Sequence, residues 1–227
     1  MPQTNYQRQL DQILSTITAD SGSKHPTLLL HACCGPCSSY VLEYLFRYFD
    51  ITVYYYNPNI YPQQEYERRR DELKIFYTRF APAEGVKVIE ETYNPEDFYT
   101  AVQTREHPEL AKEPEKGERC RLCYKLRLQK TYEYAVAHNF DYFCTTLSIS
   151  PFKDAEKINV LGTEIAKTLE ENVLSDSSTS DSSPKWLPSD FKKKGGFKRS
   201  LELSAEYGLY RQQYCGCIYS LNGKPDK

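Results

Sequence analysis

Residues 27–49 read TLLLHACCGPCSSYVLEYLFRYF. The apolar run at the start of this stretch is typical of a strand buried within a parallel sheet. Gly35 and Pro36 predict a turn, and the residues after it predict a helix with the proline near its first position. A strand, a turn and a helix in direct succession favour an α/β fold. Three of the protein's cysteines, Cys33, Cys34 and Cys37, fall at the turn.

The same alternation continues along the chain. Apolar runs predict further strands, and periodic segments between them predict helices, with an N-terminal amphipathic helix carrying Leu10, Ile13, Leu14 and Ile17 on one face. We therefore expect a parallel sheet covered by helices on both faces. The predicted strands after the first are ITVYYYNPN (51–59), VKVIEETY (86–93) and DYFCTTLSI (141–149).

The domain organisation predicted from these patterns is simple. Residues 1–227 are expected to form a single α/β domain, which begins with an N-terminal helix and lead-in at 1–24. The serine-rich segment 175–185 is expected to be a mobile loop.

Composition restricts the class of protein. The chain has 227 residues, of which 40% are hydrophobic, and 29 Lys and Arg residues stand against 31 Asp and Glu residues. This is enough apolar material for a sizeable core. No apolar run approaches the roughly 18 residues that a membrane helix needs, and the first ten residues lack the features of a signal peptide. We therefore expect a cytoplasmic protein that does not contact the membrane.

Eight cysteines are the unusual feature of such a chain. Because the cytoplasm keeps thiols reduced, they are interpreted as metal ligands, redox groups or buried small residues rather than disulfides. Cys144 stands alone in an apolar run and is predicted to be a core residue. The other seven fall into three tight groups, which are Cys33, Cys34 and Cys37; Cys120 and Cys123; and Cys215 and Cys217.

Each group taken alone is ambiguous. Neighbouring side chains on a strand point to opposite faces, so Cys33 and Cys34 are poorly placed for one zinc ion, although they can reach two irons once the chain turns. The spacing of Cys120 and Cys123 suits zinc, an iron–sulfur cluster or a redox disulfide. Seven grouped thiols exceed the roughly four that one centre needs, which indicates two metal centres, one of them open to substrate.

Five segments together carry a resemblance to a known family. They are HACCGPCSS (31–39), YYNPNIYPQQEYERR (55–69), ERCRLCYKLRL (118–128), CTTLSISPFKD (144–154) and DFKKKGGFKRS (190–200) followed by YRQQYCGC (210–217). In this order they resemble the motifs of the QueH-type epoxyqueuosine reductases. The resemblance spans nearly the whole chain, from about residue 25 to 220.

The resemblance implies a fold and a set of cofactors. The fold is a HUP-like (Rossmann-like) parallel sheet flanked by helices, with a C-terminal helical extension that bears cysteines. The cofactors are a 4Fe-4S cluster and an additional mononuclear iron beside it. Cys33, Cys34, Cys120 and Cys123 match the cluster-binding positions, and Cys215 and Cys217 match the ligands of the second iron. Cys37 stands where some members carry Asp, and together with Cys215 and Cys217 it is assigned to the catalytic centre.

The resemblance also implies the substrate and partners. The reaction removes the epoxide oxygen of epoxyqueuosine at the wobble position of tRNA, with electrons from an external donor of the flavodoxin or ferredoxin type. Basic runs at 68–70, 119–130 and 192–199 are candidates for phosphate contacts. Water and the side chains of Tyr56 and Tyr214 are candidate proton donors, and the sequence does not choose among them. Candidate substrate contacts are Tyr56, Asn57, Thr145, Thr146, Lys153, Lys192, Lys193 and Arg211.

Two other functions fit part of the pattern. A tRNA-thiolating enzyme of the PP-loop group would need an S-G-G-x-D-S loop after the first strand, where this chain has CCGPCSS. A zinc-stabilised RNA-binding protein would use the thiols only as structural ligands.

The sequence also predicts the roles of several single residues. His31 is expected to be a hydrogen-bonded core residue, Glu65 to pair with Arg69, and Trp186 to be a packing anchor, while Arg211 and Gln212 are expected to orient the C-terminal thiolates.

Overall fold

A parallel sheet forms the centre of the computed structural model, which describes residues 4–19, 25–173 and 183–222. The sheet order is β3-β2-β1-β4-β5, and every neighbouring pair of strands is parallel. The predicted α/β architecture is therefore confirmed. The strands are β1 (Thr27–His31), β2 (Asp50–Tyr55), β3 (Lys87–Glu90), β4 (Tyr142–Thr145) and β5 (Lys185–Trp186). The two-residue strand β5 was not predicted, because so short a run has no periodicity.

Helices connect the strands and cover the sheet. Within the described ranges they are α1 (Tyr6–Ala19), α2 (Gly35–Leu45), α3 (Gln63–Tyr77), α4 (Pro95–Val102), α5 (Pro108–Ala111), α6 (Glu118–Ala137), α7 (Ala155–Val173), α8 (Gly196–Glu206) and α9 (Ile218–Asn222). None of the helices in these ranges is both long enough and apolar enough to cross a membrane.

The two faces of the sheet are buried by different helices. Leu28 and Leu30 of β1 pack into a core with α1, α2, α3 and α8, whereas Leu29 between them packs into a second core with α6 and α7. This alternation follows from the two-residue period of a strand. Trp186 packs edge-on against Phe143 in the second core, as predicted for a packing anchor.

The order of the strands sets the position of a ligand site. The chain runs from the central strand β1 outward through β2 to β3 and then returns to the other side of β1 with β4. In open α/β sheets, ligands bind beyond the carboxyl ends of the strands at the point where the order reverses. Here that point lies beyond the ends of β1 and β4, directly at Cys33 and Cys34.

Parts of the predicted terminal and loop segments lie outside the described residues. These are residues 1–3 and 20–24 of the N-terminal segment and residues 175–182 of the serine-rich segment. At the end of the latter segment, Lys185 belongs to β5.

Candidate metal centre

The three thiols that follow β1 form a compact group. The sulfur atoms of Cys33, Cys34 and Cys37 all lie within 4.8 Å of one another, and those of Cys33 and Cys34 are 3.8 Å apart. The two adjacent sulfurs lie together because the chain has turned by this point, which is the condition under which they are predicted to reach two irons. The strand ends at His31, and Cys34 is the extended residue that precedes α2, so the chain has already turned. Three buried or half-buried thiols at this distance can ligate one metal ion or one cluster.

The three thiols shift one another's pKa values in different directions. Hydrogen bonds from Cys34 and Cys37 hold the pKa of Cys33 well below its usual value, while burial and the neighbouring Cys33 raise the pKa of Cys34 to about 12. The Gln212 side chain donates a hydrogen bond from Nε2 to the Cys34 sulfur at 3.0 Å. Gln212 was predicted to orient the C-terminal thiolates, but the hydrogen bond that it makes is to Cys34 of the first group. Arg211, by contrast, donates to Ser200 and Ser204.

The C-terminal pair is held by a buried arginine. Arg69 forms the predicted ion pair with Glu65 (Nε to Oε1, 2.7 Å) and donates to the backbone carbonyls of Tyr214 and Cys215 at 3.4 and 3.2 Å. Gly216 has a φ of 128°, and a Cβ there would lie 3.1 Å from the Arg69 guanidinium. Glycine is therefore required between the two cysteines, because another residue would be strained and would crowd the arginine.

Cys215 faces a buried ammonium group. The Nζ atom of Lys153 lies 2.6 Å from the Cys215 sulfur. A hydrogen bond from Cys217 and the charges of Lys153 and Arg127 hold the pKa of Cys215 well below its usual value, although burial acts in the opposite direction. Burial also opposes the charge on Lys153, but the Cys215 thiolate more than offsets it and raises the lysine pKa.

The pair on α6 lies between the other two groups. Cys120 packs in the same apolar cluster as Cys33 and Cys34, whereas Cys123 packs with Cys217 against α4. Gly117 precedes the helix, and the carboxylate of Glu113 accepts a hydrogen bond from the Arg119 amide at 2.9 Å in place of an ordinary cap. The seven grouped cysteines therefore converge on one region, although they come from three distant parts of the chain.

A cavity of about 480 Å³ opens onto this region. This volume is within the range of pockets that hold small ligands. Its wall includes Cys33, Cys37, Cys215, Lys153, Arg127 and Gln212.

Comparison with known proteins identifies the family. A family model described as epoxyqueuosine reductase QueH matches residues 28–223. A relative named epoxyqueuosine reductase QueH from Streptococcus pyogenes is 41% identical over 218 residues, which cover 95% of this chain and 78% of the relative. The chain belongs to the QueH family. Relatives of the same name from Haemophilus influenzae and Thermotoga maritima are 36% and 33% identical, covering 87% and 88% of this chain and 72% and 93% of those proteins. As a QueH-family epoxyqueuosine reductase, the chain is an oxidoreductase.

The predicted substrate contacts of this QueH protein occupy three different environments. Lys153 and Arg211 line the cavity beside the thiols. Lys192 and Lys193 line a second cavity of about 720 Å³, whose wall also includes Lys153. The remaining four, which are Tyr56, Asn57, Thr145 and Thr146, are buried at or just beyond the ends of β2 and β4 and do not line either cavity.

Some of these buried groups already have structural partners. His31 is fully buried between Thr145 Oγ1 (2.8 Å) and the Tyr56 carbonyl (3.1 Å), as predicted for a core histidine. Tyr56 donates from its hydroxyl to Asp97, and Asn57 donates to the Ala32 carbonyl. His31, Tyr56 and Asn57 therefore stabilise the loops behind the thiols and do not face the cavity.

Two arginines in the site were not assigned to it from the sequence. Arg127 is 2% exposed, donates from Nε to the Cys123 carbonyl at 3.1 Å, and its charge acts on Cys123, Cys215 and Cys33. Arg119 is buried too and donates to two carbonyls of α5. The only signal in the sequence is position, because Arg127 lies one turn after Cys123 and Arg119 lies next to Cys120. This signal is weak, since basic residues on a helix more often face solvent.

These burials correct the predicted tRNA-binding runs. Arg69, Arg119 and Arg127 belong to the basic runs at 68–70 and 119–130, but all three face inward. Their guanidinium groups donate to backbone carbonyls, and Arg119 and Arg127 line the cavity beside the thiols rather than the outer surface.

Proposed function

We propose that this QueH-family chain removes the epoxide oxygen from epoxyqueuosine at the wobble position of tRNA and leaves queuosine. The conversion of an epoxide to an alkene consumes two electrons and two protons and releases water. The observation that carries the proposal is a cavity whose wall includes the thiols Cys33, Cys37 and Cys215 and two buried cationic side chains, Lys153 and Arg127. The other four grouped thiols, Cys34, Cys120, Cys123 and Cys217, pack in the apolar clusters of the same region.

The residues fit the iron centres that the family resemblance implies. Thiolates are the usual ligands of iron–sulfur clusters, and here their negative charge is offset by Lys153 and Arg127 in a buried setting. We assign a 4Fe-4S cluster to Cys33, Cys34, Cys120 and Cys123, and an additional iron to Cys215 and Cys217. The position of Cys37 beside Cys33 and Cys34 places it within reach of the first set. When bound, these groups would supply single electrons and a Lewis acid.

The protein's own side chains have separate tasks in this scheme. Lys153 holds protons on Nζ at the wall of the cavity, and Gln212 donates to the Cys34 sulfur. Arg69 fixes the backbone on which Cys215 is carried. Of the two tyrosines that are candidate proton donors, Tyr56 donates to Asp97 away from the cavity, whereas Tyr214 lies in the cavity wall and donates to the Tyr61 carbonyl. Lys153 is therefore a better-placed proton source than Tyr56.

The substrate and the electrons come from outside. A cavity of about 480 Å³ accommodates one modified base with its cyclopentene-derived substituent, provided that the nucleotide is extruded from the anticodon loop. We propose an external donor of the flavodoxin or ferredoxin type, since the sequence lacks a G-x-G-x-x-G dinucleotide motif.

Anaerobic reconstitution with iron and sulfide tests the proposal. Reconstituted protein with a chemical reductant should convert epoxyqueuosine to queuosine in tRNA. Cys120→Ala should lose the visible cluster absorption and turnover, and Cys215→Ala should lose turnover but retain most of that absorption. Cys144→Ala is the matched control, because this buried thiol binds Leu187 and Ser189 in the core, away from the other seven.

Two outcomes would contradict the assignment. Retention of full turnover in Cys215→Ala would remove the role given to the C-terminal pair. A colourless protein that carries only zinc and has no reductase activity would favour the zinc-stabilised RNA-binding alternative, which the three clustered sulfurs after β1 also permit.

A further inference from the structure

Phe152 is exposed to an extent that packing does not explain. Its side chain is 64% exposed, which makes it the most exposed large apolar residue in the described part of the chain. The ring stands on an ordered turn, because the Phe152 amide donates to Ser150 Oγ at 3.3 Å and the Lys153 amide donates to the Ser150 carbonyl at 3.1 Å. A ring held in water by a fixed backbone loses the stabilisation that burial would provide.

The ring lies in the wall of the thiol cavity, which is the one that contains Cys33, Cys37 and Cys215. The residue that follows it, Lys153, lines both this cavity and the larger one beside it. The larger cavity is lined by five further cationic side chains, which are Arg8, Lys116, Lys192, Lys193 and Lys194, and by four carboxylates, which are Asp11, Asp154, Glu156 and Asp190. With Lys153, the cationic side chains outnumber the carboxylates by six to four. Lys192 and Lys194 pair with Asp190 and Asp11, whereas Lys193 is exposed and takes part in none of the salt bridges found among the described residues.

We propose that Phe152 stacks on an unpaired nucleobase of the substrate RNA, next to the nucleotide whose modified base enters the thiol cavity. This inference rests on the proposed function. Exposed aromatic rings stack on unpaired bases in RNA-binding proteins, and lysines nearby bind the connecting phosphates. The backbone of the bound strand then follows the lysine-lined cavity, with Lys153 at the junction.

A nucleobase fits this surface better than a protein partner does. The ring is an exposed apolar group in the wall of the thiol cavity, and the cavity beside it carries five lysines, whereas protein docking sites usually present a contiguous apolar patch of several hundred Å². A planar ring with cationic neighbours is suited to one planar, anion-linked ligand. Phe152 therefore acts as a positioning residue that holds the anticodon loop while the modified base enters the cavity.

Three variants test the stacking role. Phe152→Ala removes the ring, Phe152→Trp retains a stacking surface, and Ile75→Ala removes an exposed side chain of α3 (58% exposed) as the matched control. Binding is measured by fluorescence anisotropy with an anticodon stem–loop RNA that carries epoxyqueuosine. Thermal unfolding of each variant checks that the fold is retained.

The expected result is a loss of RNA affinity specific to the ring. Phe152→Ala should weaken binding on the order of tenfold, as is typical for loss of one stacked base, and should affect KM more than kcat. Phe152→Trp should restore most of the affinity, and Ile75→Ala should bind as the parent protein does. Unchanged binding by Phe152→Ala, with the parent protein still binding RNA, would overturn the stacking role alone. Absence of RNA binding by the parent protein would overturn both this inference and the proposed function.

Discussion

The ammonium group of Lys153 lies 2.6 Å from the sulfur of Cys215. Both residues line the thiol cavity, and Lys153 also lines the larger cavity beside it. The two residues are 62 positions apart in the chain. Lys153 follows the turn after β4, and Cys215 lies in the segment between α8 and α9. A buried cation next to a half-buried thiol stabilises the thiolate, which is the form that binds metals and reacts with electrophiles.

Removal of this cation should make Cys215 less reactive. In the metal-free protein at pH 7, we expect Lys153→Met to slow alkylation of Cys215 by iodoacetamide on the order of tenfold, because loss of a neighbouring charge raises the thiol pKa by about one unit. Peptide mass spectrometry measures the rate at each cysteine. Lys153→Arg retains a cation and should react faster than Lys153→Met. Equal Cys215 rates in the parent protein and Lys153→Met would contradict the pairing.

Loss of the Arg69 side chain should destabilise the protein strongly. Arg69→Leu leaves Glu65 without its buried partner and releases the carbonyls of Tyr214 and Cys215, and breaking a buried ion pair typically costs about 3–5 kcal/mol. Urea unfolding measures the loss. Arg70→Leu is the control, because its ion pairs with Asp71 and Glu90 are solvent-exposed and should contribute at most about 1 kcal/mol. A similar loss in both variants would mean that burial of Arg69 is unimportant.

Arg127 should be needed for metal loading. We expect Arg127→Met to reduce the iron bound per chain after reconstitution, because the positive charge that offsets the nearby thiolates is removed from a buried position. Arg121→Met, on the same helix, removes an arginine that pairs with Glu118 at the surface. Iron and sulfide analysis should find a clear loss in the first variant and little change in the second. Full iron content in Arg127→Met would show that the guanidinium is dispensable for loading.

Cys144 should be inert in the folded protein. Burial raises the pKa of Cys144 to about 12, so at pH 8 it remains a neutral thiol and should not be alkylated on the time scale on which Cys215 reacts. The folded protein favours the neutral Cys144 thiol. The contribution of this group to the free energy of unfolding is therefore fully present below its ordinary pKa near 9.0, and it declines as the pH rises from there toward 12. Mass spectrometry of native and urea-unfolded samples at pH 8 checks the first statement. Rapid labelling of native Cys144 would contradict it.

Much of the architecture follows from local patterns. The apolar run before Cys33 and the turn at Gly35 and Pro36 predict β1 and α2 because burial in a parallel sheet and the geometry of a helix start depend on adjacent residues. The isolated position of Cys144 in an apolar strand likewise predicts a core thiol. Local patterns could not predict that Arg119 and Arg127 turn inward, because a basic residue on a helix is usually solvated, and only the packing of α6 against its neighbours decides which face is buried.

The alternating α/β pattern, the grouping of seven cysteines and the family to which the motifs belong can all be read from the amino-acid sequence. Three contacts depend on the folded structure: Lys153 meets Cys215, Arg69 holds the Cys215 carbonyl, and Cys33 and Cys34 lie on the same side of a turn. Spacing along the chain sets which residues share a strand or helix face, whereas contacts across 62 or 146 positions depend on how the elements pack. Beyond the ends of β1 and β4, where the strand order reverses, that packing brings the three cysteine groups together.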